Sequence, residues 1–448
     1  MKSKPLRVAV LYVAIITAAA VLYLFSPPPR ADEHYCGATM HLGRLLTLNI
    51  NCDSIEFIDE AIDPAILLRH VPMSRQERPL FILSASLLTH LLMATDVWRM
   101  VPAHAVDALN ASSAFKSHYE KHHVSLEPKL YWKYVLAAYI SYVLINAGLL
   151  LVALLLFHWL AVGWSPNAIV AGYASLLLAN DTVKAFFWSA HTVMFTFVVP
   201  LGCVLLCQKM LRHSYSGVAR TGAIGLVTGI LSLAYGSFAI WLVAGVAALA
   251  LSHRPITARL SRGLVLESVT LILGFALPIM LWISTCKIIG EGYSNGEIEQ
   301  YHQFIWLLDS ARLGFYHLLL DLLSHGVGFL EFLLPVTLLP VLLLGFVVFG
   351  GFVFDAPLRL IVMEESLVFT SICVTTAACI LFFYLMGFYQ TRLELGVVVP
   401  ILLAEAILTV RINERAQAKS PLPIAGLLVW GVTLACMAYE IAKPFPPI

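Results

Sequence analysis

The sequence predicts an all-α polytopic membrane protein, and three observations carry that expectation. The mean hydropathy is +0.84. Hydrophobic residues make up 60% of the chain and charged residues only 12%. The apolar residues fall in continuous runs near the length of a bilayer crossing, about 20 residues, not in the alternating pattern of a membrane barrel. A net charge of +1 argues against a polyanionic partner, so no nucleic acid is expected. No stretch reads as a soluble catalytic domain, and 1–448 is expected to form a single transmembrane domain with its chemistry among the helices and loops.

The chain opens with Lys2, Lys4 and Arg7 ahead of an apolar run from Val8, followed by Ser26-Pro27-Pro28-Pro29. A cleaved signal peptide is the competing reading. The run is long for one and the small-residue cleavage site is poor, so an uncleaved first helix is expected. Further crossings are read at about 80–98, 134–157, 187–208, 222–236, 237–252, 264–285, 326–349, 366–387, 395–411 and 421–438. That makes about eleven, plus the short segment 167–180 as a re-entrant or interfacial piece. The pair split by Tyr235-Gly236-Ser237 reads as two thin helices or one re-entrant hairpin, a geometry tolerated only where protein or water covers it.

With the N-terminus in the cytoplasm, 18 of the 28 basic residues fall inside, among them Arg99, Lys121, Lys209, Arg254 and Arg411. The positive-inside rule supports that orientation. It leaves four pieces extracytoplasmic: a first loop (26–79), the turn around 158–188, a second loop (287–325) and the short link Gln390 to Leu395. The expected location is the bacterial inner (plasma) membrane. In the second loop Phe304, Leu307, Leu308 and Ala311 recur at helical spacing. They predict one interfacial helix anchored by Trp306 and Tyr316.

The first loop holds the acidic island, Asp53 to Leu80, with Asp53, Glu56, Asp59, Glu60, Asp63 and Glu77 closing on Arg78-Pro79-Leu80. Asp53, Glu56 and Glu60 sit at i, i+3 and i+7, on one face of a helix. Paired carboxylates near a membrane could supply a general base or hold a divalent cation. The alternative is a solvated helix face. Two further clusters lie outside. In NDTVKAFFWSAHT, Asp181, Lys184 and His191 mix with aromatics as a sugar site would, or as an ordinary aromatic belt would. His302 with Trp306 reads the same two ways. No zinc-ligand spacing is present. Cys36 and Cys52 could pair in an oxidising compartment.

Asp53, then Phe57, Ala61 and Arg78-Pro79-Leu80, resemble the first loop of the GT-C glycosyltransferases, which include protein O-mannosyltransferases and aminoarabinose transferases. The family pattern is an acidic residue, often Asp-Glu, after helix one, then an aromatic and an alanine at helical spacing, then Lys/Arg-Pro-Pro-Leu. Ser54 follows the aspartate here and a single proline follows Arg78, while Asp59-Glu60 supplies an acidic pair further on. The resemblance implies a GT-C-like bundle that transfers a sugar from a polyprenyl-phosphate carrier to a hydroxyl of a glycan, lipid or protein, with inversion. Asp53 would be the base, supported by Glu56 or Glu60, and Arg78 would hold the carrier phosphate. The run GFYQTRL is similar to a late basic position of that family, which adds Arg392 with Tyr389 beside it. A snorkelling arginine among membrane lipids is the bland alternative. Two rivals remain: a transporter or lipid flippase, with Glu267 and Glu405 read near inner helix ends, and an O-antigen type polysaccharide polymerase.

Overall fold

A computed structural model describes residues 4–27, 38–41, 47–50, 52–69, 74–95, 107, 128–212, 217–253, 262–353, 358–416 and 424–445. The first helix, α1 (Lys4–Tyr23), leads to a small antiparallel pair, β1 (Ala38–His41) and β2 (Thr47–Ile50), in which Ala38 faces Ile50. The hairpin adds strand to a chain expected to be all-α. It is followed by α2 (Cys52–Ile62) and α3 (Pro79–Met93). Pro79 starts α3 where a missing N–H costs nothing. The Cys36–Cys52 pairing lies outside the described residues.

The long α4 (Pro128–Val162) is followed by two short buried helices, α5 (Ala168–Leu176) and α6 (Asp181–Phe186), and then by α7 (Phe195–Leu211). Asn167 and Asn180 cap α5 and α6 by accepting main-chain N–H groups, which explains why the segment 167–180 breaks into pieces. Next come α8 (Val218–Ser232), α9 (Ala239–Ser252) and α10 (Arg262–Ile288). The second loop carries α11 (Gly296–Tyr301) and α12 (Ile305–Leu313). The chain ends with α13 (Phe315–Val353), α14 (Leu358–Glu364), α15 (Ser366–Met386), α16 (Thr391–Ala416) and α17 (Ile424–Ala442).

Seven helices among the described residues are long and apolar enough to cross a membrane, and four shorter apolar helices accompany them. The chain is therefore a mainly α-helical polytopic membrane protein. Phe445 N–H donates to the Pro27 carbonyl at 2.9 Å. The end of α17 thus lies beside the end of α1.

Two features shape the site. The first is the pair α8–α10. A Cβ at Gly225 or Gly229 would strike the Leu271 or Phe275 carbonyl, so these helices touch backbone to backbone as small residues allow in lipid. At about 1.5 Å per residue, α8 and α9 fall short of a bilayer core of about 30 Å. Their connecting turn, Leu233 to Phe238, therefore ends at cavity depth. The second feature corrects an expectation. The helix expected within 301–323 forms at Leu307, Leu308 and Ala311 as α12 but is shorter, because His302 (φ 50°) and Phe304 (φ 62°) precede it and Gly314 (φ 115°) ends it, so that α13 starts eleven residues before the expected crossing. Trp306 does not anchor in an interface. It stacks on His325 at 3.9 Å and donates to the Leu385 carbonyl at 3.1 Å, against Gly387, where a Cβ would collide with its indole.

Candidate functional site

The helix predicted around the acidic island forms, and one arginine gathers its face. Arg75 Nη2 donates to Asp53 Oδ1 at 2.9 Å, Arg75 Nε to Glu56 Oε2 at 3.1 Å, and the Arg75 main-chain N–H to Glu60 Oε1 at 2.6 Å. Arg75 was not singled out in the sequence, although it lies three residues before Arg78. Phe57, fully buried at the centre of α2, has the Arg75 and Arg78 guanidinium carbons 5.6 and 5.7 Å from its ring centroid. An aromatic face offers both cations a partner with no lone pair to satisfy.

One rod positions the two halves of the site. From α4, Tyr131 donates to Asp59 Oδ1 (2.7 Å) and Tyr142 to the Phe57 carbonyl (2.8 Å), which fixes α2. From the same face, Tyr139 donates to the Trp188 carbonyl (2.5 Å), and the Asn146 amide reaches the Phe186, Phe187 and Ser189 carbonyls at 2.8–3.2 Å. These bonds fix the turn before His191. The residues recur about every turn or two turns along one stripe of α4.

His191 joins the early and late parts of the chain. Its Nδ1 accepts the Val193 N–H at 3.2 Å, which puts the proton of a neutral ring on Nε2. That Nε2–H donates to Asp53 Oδ2 at 3.2 Å, and Arg392 Nη1 lies 3.5 Å from the same nitrogen. Burial pushes His191 down to about 3, against the pull of Asp53, so the ring is neutral at physiological pH. Burial alone would raise the Asp53 carboxyl. The hydrogen bond from His191 and the charges of Arg75 and Arg392 outweigh burial and hold it well below the usual carboxylate range. Burial lifts Glu60 to about 8, and it raises Glu77 in spite of Arg78 beside it.

These groups line a cavity of about 250 Å³. Its lining includes the polar Asp53, Arg75, Glu77, Arg78, His191 and Arg392 and the apolar Leu233, Phe275, Ile279, Phe304, Phe382 and Met386. Arg78, the residue before α3, donates to Thr192 Oγ1 at 2.5 Å and pairs with Glu297 of α11. The Arg392 guanidinium lies 5.1 Å from the Phe186 ring centroid and makes no salt bridge among the described residues.

Asp53, Glu56, Arg78, His191 and Arg392 therefore converge, with Glu60 buried just behind them. Four other candidates do not. Tyr389 turns away to accept from or donate to His325 and to donate to the Tyr384 carbonyl, with its ring packed beside Gly328. Asp181 pairs with Lys443 at 3.2 Å beside α17. His302 sits exposed at the backbone break, and Trp306 is packed as described. The residues missed were Arg75 and Glu297. The charge alternation Arg75-Gln76-Glu77-Arg78 was the one signal that pointed to either of them. No three His, Cys, Asp or Glu side chains among the described residues converge as they would around a metal ion. Between Asp53 and Glu56 the positive charge is the guanidinium of Arg75. Comparisons with known protein families, with curated proteins and with solved structures find no match to this chain.

Proposed function

We propose that this chain is an integral membrane glycosyltransferase of GT-C type, which takes a sugar from a polyprenyl-phosphate carrier on the extracytoplasmic face. One observation carries the reading. Asp53 and Arg392, more than 300 residues apart, both lie within 3.5 Å of His191 Nε2 in one cavity lined by charged and by apolar side chains. A lipid-linked phosphate sugar combines those two characters.

In the proposed reaction the acceptor hydroxyl attacks the anomeric carbon. Its proton passes to Asp53 as the new C–O bond forms. The bond from the anomeric carbon to the phosphate oxygen breaks, and the lipid phosphate leaves with the electron pair. Arg392 and Arg78 would take the charge that gathers there. His191, neutral and donating, orients the carboxylate. A base held this firmly anionic takes its proton late, when the attacking oxygen has already gained positive character. The cytoplasmic N-terminus and the bacterial inner membrane belong to the same proposal.

The test compares wild type and Asp53→Asn in proteoliposomes supplied with a labelled polyprenyl-phosphate sugar and a hydroxyl acceptor. Loss of about 10²–10⁴-fold in transfer is expected for removing a general base. Full transfer by the variant removes Asp53 from its role. Uptake of label without transfer supports the transporter instead. One observation favours that rival: Glu405 is completely buried near the middle of the 391–415 span, not at an inner end, and neither carboxylate oxygen has a hydrogen-bond partner among the described residues.

A further inference from the structure

Residues 291–304 run as a strap over the cavity. At one end the Glu291 N–H donates to the Leu68 carbonyl at 2.8 Å and the Ser294 N–H to Gln76 Oε1 at 2.8 Å. At the other end the Phe304 N–H donates to the Met386 carbonyl at 3.1 Å, and Tyr301 stacks on Phe388 at 4.2 Å. Between these ties Tyr293, Asn295, Glu297, Ile298 and Tyr301 face the cavity.

Glu297, in the first turn of α11, spans the gap to Arg78, whose side chain is 8% exposed. Among the described residues Arg78 Nε has no acceptor. Carboxylate and phosphate oxygens engage the same guanidinium fork. The strap is also under strain where it joins α12. His302 and Phe304 both occupy the left-handed region, at φ 50° and 62°. Such backbone is strained for a non-glycine residue and rare for a bulky aromatic. Contacts elsewhere on the strap must hold it, and the ion pair to Arg78 is a charged one among them.

We infer that Glu297 stands in for the phosphate of the substrate: an anionic headgroup displaces it from Arg78, and the strap lifts as that headgroup seats. This rests on the reading of the cavity as a site for a lipid-linked phosphate. Glu297 then acts in specificity. In the empty protein it pairs directly with a buried cation whose other neighbouring carboxylates are Glu77 and Asp53. A neutral lipid alcohol has no charge with which to compete for that cation. A phosphate competes, and it also gains Arg392.

The full-length protein in neutral phosphatidylcholine nanodiscs is titrated with polyprenyl monophosphate, with the matching polyprenol and with inorganic phosphate. Glu297→Gln keeps the shape and removes the charge. It is expected to bind polyprenyl monophosphate about tenfold more tightly than wild type, a difference of about 1.4 kcal/mol, with polyprenol binding unchanged. Equal or weaker binding by the variant, with wild type still preferring the phosphate to the alcohol, overturns the displacement and leaves the cavity reading standing. Wild type that binds both lipids alike removes that reading and the displacement with it. Tightening toward inorganic phosphate alone overturns the lipid-linked ligand. A measurement on wild type needs no variant. Hydrogen exchange at the amides of Glu291, Ser294 and Phe304 is expected to quicken when polyprenyl monophosphate is added, and slower or unchanged exchange overturns the lifting of the strap.

Discussion

Two buried groups of charges lie in this molecule, and they differ in how far their donors are used. Near the end of α17, Lys184 Nζ is fully enclosed and gives its protons to the Glu440, Lys443 and Pro444 carbonyls at 2.5, 2.6 and 3.1 Å. An ammonium has three donors, and all three are taken. Those acceptors are carbonyls at the end of a helix, where a cation is favoured in any case. In the cavity, Arg392 has five N–H donors and only a long approach to His191 among the described residues. The first cation is a fastener. The second lines the cavity, and no carboxylate or carbonyl among the described residues accepts from it. Composition and proximity to aromatics are alike in the two places; saturation separates them.

The difference can be broken first at its strongest point. Arg392→Met is expected to weaken binding of polyprenyl monophosphate by about 2–5 kcal/mol, as for other truncated buried charge pairs, while the thermal midpoint in detergent stays close to wild type. Unchanged binding would put Arg392 in the same class as Lys184. Lys184→Met should behave the opposite way. Three carbonyls lose their donor, each at about 1–3 kcal/mol if left unsatisfied, so the midpoint falls while transfer per folded molecule is retained. A selective loss of transfer at normal stability would contradict the assignment.

A subtler test is Asn146→Leu, which frees the carbonyls before His191 without touching the cavity. Displacing a positioned group by about 1 Å can cost about 10²-fold, so a drop of about 10- to 100-fold in rate with unaltered carrier binding is expected from steady-state kinetics. The smallest effect is on stability against pH. Glu60, lifted to about 8, keeps in the folded chain a proton that the unfolded chain loses near 4.3. Its contribution is complete below that lower value and disappears as pH rises toward 8. His191, held at about 3, acts in the opposite sense and is finished by about 6.5. Between about 6.5 and 8 the wild-type midpoint should therefore decline. Glu60→Gln should lessen that decline without removing it, because Glu77 is also raised.

Much of the site was legible because it breaks the pattern of its surroundings. Carboxylates at helical spacing beside lipid mark α2, and an arginine between two apolar runs marks Arg392. The convergence of Asp53 with Arg392 followed from a family likeness, since no spacing rule links positions so far apart. Other parts could not be read. Asp181, Lys184 and His191 stand within eleven residues, yet Asn180 caps α6 and the chain turns again at His191. The first two then meet α17 and the third meets the cavity. Trp306 and Tyr389 lie at helix ends, where an aromatic can face lipid, cavity or protein with similar burial. A glycine across the contact, Gly387, decided the case of Trp306, and the hydrogen bonds to His325 and the Tyr384 carbonyl that of Tyr389. Glu297 reaches Arg78 only because the second loop folds back at two strained joints, which no propensity foretells.

The hydroxyls of Tyr131, Tyr139 and Tyr142 and the amide of Asn146 belong to a single helix, yet they grip two segments that are distant in sequence. When the lipid around that helix thins, thickens or bends, both segments travel with it as passengers on one beam. The gap between carboxylate and imidazole is thereby insulated from the mechanical state of the surrounding bilayer.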